Sequence, residues 1–337
     1  MKPESDDQAK CWWPRDYFAR SETAMWLLQW SIPVIALLGV AVLAAFNWLK
    51  PESPRAVTIY CAQDQVFAEP LFKEFERETG QHVRALLDSE ATKTVGLANR
   101  LIAEAANPRA DLWWSNEEFR TRQLVARGVL KPAFTSFGRR ERVLVVNTNH
   151  LAGLPSPLTL AALTNAALRG RVALAWPVFG TTATHFLALR ERWGAPAWED
   201  WCRALAANRP WLLDGNSVVV KMVGSGQAWV GLTDDDDVVA VGQRNGLPVM
   251  AVPLAPAEGL AIPNTLALVR RAPRREAAEK LRDWLASPAV AERLEAAGAL
   301  SSADAPTPAE QLPEATWSAM LSGLETNTTW LKEVFVR

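Results

Sequence analysis

Between Trp229 and Val239 the chain reads Trp-Val-Gly-Leu-Thr-Asp-Asp-Asp-Asp-Val-Val, four adjacent carboxylates set between two apolar runs. Like charges this close repel and raise one another's pKa, so the run must be solvated, cap a helix or face a ligand. Solvated surface and helix capping are the ordinary explanations. Further oxygen-rich stretches lie at 62–65 (Ala-Gln-Asp-Gln, with Asp64), at 88–94 (Asp-Ser-Glu-Ala-Thr-Lys-Thr, with Glu90, Thr92, Lys93 and Thr94) and at Ser115-Asn116-Glu117. Others are Gly180-Thr181-Thr182 and Asp214-Gly215-Asn216-Ser217. Carboxylates are hard donors suited to a hard cation, and suit an ammonium group or sugar hydroxyls equally. Threonines at a helix start, beside free N–H groups, suit an anion or an oxygen ligand.

These stretches follow apolar segments in a regular order. Ala56 to Cys61, His82 to Leu87 and Ala110 to Trp114 read as strands, with helices at Phe67 to Thr79, stopped by Gly80, and at Thr92 to Ala105. Strand, helix, strand, helix, strand predicts a parallel sheet covered by helices, with ligands at the strands' carboxyl ends. A further strand is expected at Arg142 to Thr148, and another at Val172 to Trp176 before a helix opening at Gly180. Extended runs follow near 248–254 and 259–269, then helices from Ala272 to Gly298, a loop from Ser301 to Pro313 and a last amphipathic segment.

The 337 residues, 49% of them hydrophobic, suffice for two domains with sizeable cores. A net charge of −1 gives no reason to expect nucleic acid as a partner. The three cysteines, Cys11, Cys61 and Cys202, have no metal-ligand spacing, and Cys61 and Cys202 read as small buried thiols. With three histidines, no nucleophile-and-base pair and no Gly-rich phosphate loop, the chain does not read as an enzyme.

From Ala24 to Leu49 no residue is charged. Such a stretch reaches about 39 Å as a helix, enough for a bilayer core of about 30 Å. It reads as a transmembrane anchor with Trp26, Trp30 and Trp48 at its interfaces, or alternatively as a cleaved signal. The bulk of the chain is then periplasmic or extracellular.

The series YCAQD, ETG, DSEATKTVGLANRLIAE, NPRADLWWSNE, GTTATH, DGNS, GLTDDDD, IPNT and EKLRDWLASPAV resembles the solute-binding proteins of ABC importers, iron(III)-type branch, from about Val57 to Leu300. The resemblance implies an α/β, two-lobed type II periplasmic-binding-protein fold, here behind an N-terminal transmembrane helix. Its two crossing strands would fall near Leu144 to Asn147 and Val252 to Pro263. The implied organisation is a leader (1–23), an anchor (24–49), a first lobe (56–146 and 260–337), a second lobe (147–253) and a return hinge including 254–259. The implied partners are an ABC permease and its ATPase, with the membrane reached through the N-terminal helix.

In ferric-ion-binding members of that branch a Tyr pair and an early His hold the metal. Here Asp236 and Asp237 stand at the Tyr positions and Asp64 at the His position, and the two tyrosines, Tyr17 and Tyr60, lie far from Asp236 in sequence. Phenolate ligation of iron is therefore not expected. No cofactor is expected, only a metal ion as cargo, for which Asp64, Asp236 and Asp237 are the candidates. Four desolvated carboxylates without a cation would be too costly, so two are expected to face a cleft and the others to cap the following helix. Thr92, Lys93, Thr94, Thr181 and Thr182 suggest an anionic end on the solute, and a metal–anion pair, organophosphate or phosphonate would satisfy both walls. Ser115, Asn116, Glu117, Gly180, Asn216 and Asp234 complete the expected site with Glu90. A membrane-tethered ligand sensor, and less readily an enzyme on the same scaffold, are the alternatives.

Overall fold

Apolar runs bounded by turn residues become strands, those at 57–61, 112–115, 172–175 and 230–234 buried throughout. The computed structural model describes residues 56–87, 93–301 and 312–335. The strands are β1 (Val57–Cys61), β2 (Val83–Leu87), β3 (Leu112–Ser115), β4 (Leu130–Asn147), β5 (Val172–Ala175), β6 (Trp211–Leu213), β7 (Val230–Asp234), β8 (Val249–Pro253) and β9 (Ala261–Val269). The main helices are α1 (Gln65–Thr79), α2 (Lys93–Ala103), α3 (Glu118–Ala126), α4 (Gly180–Trp193), α5 (Ala195–Ala207), α6 (Asn216–Gly224), α7 (Arg275–Leu285), α8 (Pro288–Ala297), α9 (Glu314–Ser322) and α10 (Leu324–Phe335).

One sheet has the order β2-β1-β3-β9-β4, and the path continues through β4 into a second, β4-β7-β5-β6, with β8 also on β4. The β1–β2, β1–β3, β5–β6 and β5–β7 pairs are parallel, as strand–helix alternation predicts. On one face of the first sheet, Phe72 and Phe75 of α1 pack with Trp114, Leu281 and Leu294; on the other, Leu97 and Leu101 of α2 pack with Tyr60 and Trp113. The helix α1 ends where expected, because Gly80 (φ 67°) takes the left-handed conformation that is costly for side chains. Cys61 and Cys202 are both buried.

The strand that joins the sheets is the main departure from the sequence reading. Its expected start was Arg142, but β4 runs 18 residues from Leu130. Gly138-Arg139-Arg140-Glu141, ahead of that expected start, form the passage between sheets. Up to Glu141, β4 pairs with β9; from Arg142 it pairs with β7 and β8. The crossing thus lies at Glu141–Arg142, a little before the expected Leu144 to Asn147. A register shift between Phe137 and Arg140 contains Gly138 (φ 55°), where a Cβ would sit 2.3 Å from a Leu300 methyl. The return passes through 254–260, tied to β4 by the Arg142 N–H donating to the Leu260 carbonyl at 2.9 Å.

A second correction concerns the C-terminus, expected as part of the first lobe. Helix α9 lies between α3 and α4, with Trp317 and Met320 against Phe119, Leu187 and Ala188. Helix α10 then buries Leu331, Val334 and Phe335 in the core of the second sheet, where Phe335 meets Phe186 and Trp330 meets Trp198. Its apolar stripe is satisfied by aromatic surface that the second sheet offers.

The leader and the stretch 24–49 lie outside the described residues. Among the described residues no helix is long and apolar enough to cross a membrane.

Leu331→Ala tests the placement of α10. Leu331 is 1% exposed, so its truncation should destabilise the protein by about 2–5 kcal/mol, read from urea unfolding. A loss below 0.5 kcal/mol would mean that α10 is not part of that core.

Candidate functional site

Side chains two residues apart on a strand share a face. Arg140 and Arg142 therefore point the same way from the crossing strand. Arg142 and Asp234 are cross-strand partners of β4 and β7. They form a buried ion pair at 2.6 Å, with side chains 0% and 3% exposed. Around it, the Thr181 hydroxyl and the Asn216 amide donate to Asp234 Oδ2 at 2.7 and 2.8 Å. Arg142 also donates to Thr181 Oγ1, Asn216 Oδ1 and, from Nη2, to Thr182 Oγ1. Arg140 donates to Asp236 Oδ2 at 3.2 Å and to the carbonyls of Asn116 and Ala299 at 2.6 and 3.1 Å. Both sheets thus share one charged ladder.

The four aspartates divide into distinct tasks. Asp234 neutralises Arg142. Asp235 accepts from the Glu141 N–H and the Ser301 hydroxyl, both at 2.8 Å. Asp236 takes Arg140 with Oδ2, while its buried Oδ1 has no hydrogen-bond partner. Asp237 receives no hydrogen bond among the described residues. Burial, partly offset by Arg140 and reinforced by Asp234, Asp235 and Asp64, pushes the Asp236 carboxyl up to about 7. Burial and then Asp236, Asp234 and Asp64 push Asp237 well above the usual range. Burial also raises Asp235.

The ladder borders a cavity of about 80 Å³, lined from the first sheet by Asp64, Thr94, Asn116 and Arg140. The second sheet contributes Trp176, Phe179, Gly180, Thr181, Thr182, Asp214, Asn216, Asp234, Asp236 and Asp237. The amino ends of α4 and α6 face it without side-chain caps. Carboxylate oxygens of Asp234, Asp236 and Asp237 lie within 4.8 Å of one another, close enough for a shared cation. The volume falls below the several hundred Å³ of sites for drug-sized ligands.

Most of the residues singled out from sequence converge here, with exceptions. Glu90 and Thr92 lie outside the described residues, as does the Lys93 side chain. Ser115 and Glu117 are buried away from the cavity. The Ser115 hydroxyl accepts the Glu117 N–H, and Glu117 caps α3 through the Arg120 N–H and accepts from the Thr184 hydroxyl at 3.2 Å. Burial raises Glu117 to about 7, against the pull of Arg120. The expectation that Thr181 and Thr182 hold an anionic end of the solute also changes. The chain's own Asp234 already takes the Thr181 hydroxyl and the positive charge behind it. His185 is neutral, its Nε2 donating to the Glu258 carbonyl at 2.6 Å, and burial with Arg142 nearby pushes it down to about 3.

Sequence reasoning missed both arginines. Their signal was the alternation Arg-Glu-Arg, which in an extended segment puts 140 and 142 on one face.

A family model for bacterial extracellular solute-binding proteins matches residues 57–300. The chain belongs to that family. It is accordingly a binding protein and not an enzyme. Iron-bound HitA from Pseudomonas aeruginosa superposes with a TM-score of 0.68 at 17% identity, covering 83% of this chain and 99% of that one. AfuA from Actinobacillus pleuropneumoniae, with fructose-6-phosphate bound, gives 0.70 at 18% identity, covering 84% and 99%. The Trichodesmium protein IdiA (FutA), in complex with iron and citrate, gives 0.63 at 18% identity, covering 83% and 99%. At such identities the likeness establishes the mixed α/β, two-lobed fold. A search of the curated proteins finds no significant match.

Asp234→Asn leaves the Arg142 charge buried and uncompensated, and should cost about 3–5 kcal/mol of folding stability in urea titration. An effect under 1 kcal/mol would show that the pair is not the keystone of the ladder. The solute-free protein should also melt at a higher temperature at pH 6.5 than at pH 8. Asp236 and Asp237, with Glu117 and Glu141, the latter also raised by burial to about 7, bind protons in the folded chain that the unfolded chain has lost. Stability therefore rises as pH falls through this window. Below 6.5, His185 opposes the trend, because it charges only on unfolding. Calorimetry should show a flatter slope for Asp236→Asn.

Proposed function

We propose that this protein is the solute-binding component of an ABC importer, capturing a small cationic solute between its lobes and delivering it to a permease with its ATPase. The observation that carries the reading is a surplus of acid at the cavity. Five aspartates, at 64, 214, 234, 236 and 237, line it against Arg140, with Arg142 behind. Asp234 is matched by Arg142 and Asp236 by Arg140, while burial and mutual repulsion hold Asp236 and Asp237 above the usual carboxylate range. A cation relieves that repulsion, whereas an added phosphate increases it. Asp236 and Asp237, with Asp64 opposite, are the proposed contacts, and Thr94 and Asn116 complete the wall.

A hard metal cation held by carboxylates fits this set, alone or with a small anion. An organophosphate or phosphonate fits less well, because Asp234 already uses the Arg142 charge. An organic ammonium is the second reading, favoured by Trp176 and Phe179 on the same cavity, whose ring faces attract such groups. In relatives with iron or fructose-6-phosphate bound, the same fold serves both kinds of cargo, so the fold does not choose.

The uncharged stretch 24–49 is proposed to anchor the protein in the membrane, with the lobes outside the cytoplasm. Lobe boundaries near 56–141 and 142–260, with the C-terminal helices spanning both, are part of this reading.

The test is the double substitution Asp236→Asn with Asp237→Asn. Calorimetric titration with Fe³⁺, Mn²⁺ and Ca²⁺ salts and with spermidine should show at least one binding to the parent, weakened by about 2 kcal/mol or more in the double variant. Equal affinity in both proteins would remove these carboxylates from the site. Tighter binding of inorganic phosphate than of any cation would overturn the cationic reading.

A further inference from the structure

The acidic wall continues directly into a segment that touches the first lobe. After Asp235–Asp237 the chain stays helical through Val238–Gly242, as a π turn, and Gln243–Asn245. Arg244 therefore rides on the same short segment as Asp236 and Asp237. Its guanidinium reaches across to the carboxyl end of α8 in the first lobe, donating to the Ala297 carbonyl and, at 2.6 Å, to that of Ala296. Those carbonyls lie in the last turn of α8, which has no following turn to donate to them and carries negative partial charge. The approach is tight at Gly298 (φ 74°), where a Cβ would lie 3.2 Å from the Arg244 guanidinium carbon.

The adjoining first-lobe residues are held from the second lobe and the crossing strand as well. Ala299 accepts from Arg140, and Ser301 donates to Asp235. Of these residues Arg140 lines the small cavity. Arg244 lines a neighbouring chamber of about 460 Å³ together with Asp64, Asp236, Asp237 and Gly298.

We propose that Arg244 is a clasp between the lobes, which sets how much of the protein is closed before any solute arrives. The inference rests on the reading of the inter-lobe crevice as the solute site. Because the clasp and the acidic wall share one segment, occupation at Asp236 and Asp237 and engagement of α8 are linked through a few residues of backbone. Arg244 is a positioning residue: it touches the opposite lobe, not the solute.

Electron–electron distance measurement between spin labels on the full chain tests this without added solute. Labels at exposed Glu292 in α8 and exposed Gln227 in the second lobe, with Cys11 changed to Ser, report the separation, and the buried Cys61 and Cys202 stay unlabelled. The unmodified position 244 should give a predominantly short distance. Arg244→Ala should raise the long-distance population about two- to fivefold, Arg244→Glu should raise it further, and Arg244→Lys should restore most of the short one. The same distance distribution in all four proteins would overturn the clasp, as would a predominantly long distance in the parent. Cation affinity at Asp236 and Asp237 is measured separately, so failure of the clasp leaves that reading standing and the reverse holds too.

Discussion

Two guanidinium groups spaced two residues apart on one strand impose most of what this crevice can do. Arg142 is wholly buried, and an uncompensated charge there would cost several kcal/mol, so a carboxylate must stand opposite. Antiparallel pairing of β4 with β7 places Asp234 there. Once that pair forms, Thr181 and Asn216 are drawn into it, and the starts of α4 and α6 are fixed at the cavity wall. Arg140 repeats the arrangement one step along the strand, with Asp236. Arg142 is satisfied within the second lobe, whereas Arg140 draws on both, with Asp236 on one side and the Asn116 and Ala299 carbonyls on the other.

From this constraint follows the sign of the cavity. Arg142 is spent on Asp234, and Arg140 is shared among Asp236 and two backbone carbonyls. Among the described residues Asp237 is left with no donor, and Asp236 with one buried oxygen unpaired. Repulsion among them persists because the backbone holds them: Asp235, bound to the Glu141 N–H and Ser301, pins the turn on which they stand. On the cationic reading proposed above, the site is preorganised, since little rearrangement is needed before a cation meets two or three carboxylate oxygens.

The lobes were legible in the sequence because parallel βα units leave a strong local pattern. Residues such as Phe72 and Phe75 repeat at helical spacing, and Gly80 stops its helix. Polar groups at strand ends were legible for the same reason, and Asp64, Thr94, Asn116 and Asn216 do meet at the cavity. What local pattern could not show was pairing over long separations. Arg140 looks like a turn residue until β9 and Asp236, 96 residues away, lie beside it. Glu117 looked like a wall residue, but its carboxylate is used by the first turn of α3 and by Thr184 of the other lobe. The last helix was misassigned because its stripe of Leu331, Val334 and Phe335 fits any apolar surface, and only tertiary packing selects the second lobe.

The position of α9 and α10 bears on how the two lobes can move. Trp317 and Met320 pack against both α3 and α4, and α10 is embedded in the second lobe, so these helices hold the back of the hinge with apolar contact. At the front, the joining contacts are ionic or hydrogen-bonded: Arg140 with Asp236, Asp235 with Ser301, Arg244 with α8. Apolar packing at the back is insensitive to what the crevice contains, whereas the polar contacts at the front share a segment with the acidic wall. Charge arriving at Asp236 and Asp237 therefore acts on the side of the hinge that can open and leaves the other side intact. On the reading proposed for the crevice, this asymmetry couples a change of charge in a small cavity to rotation of one lobe against the other.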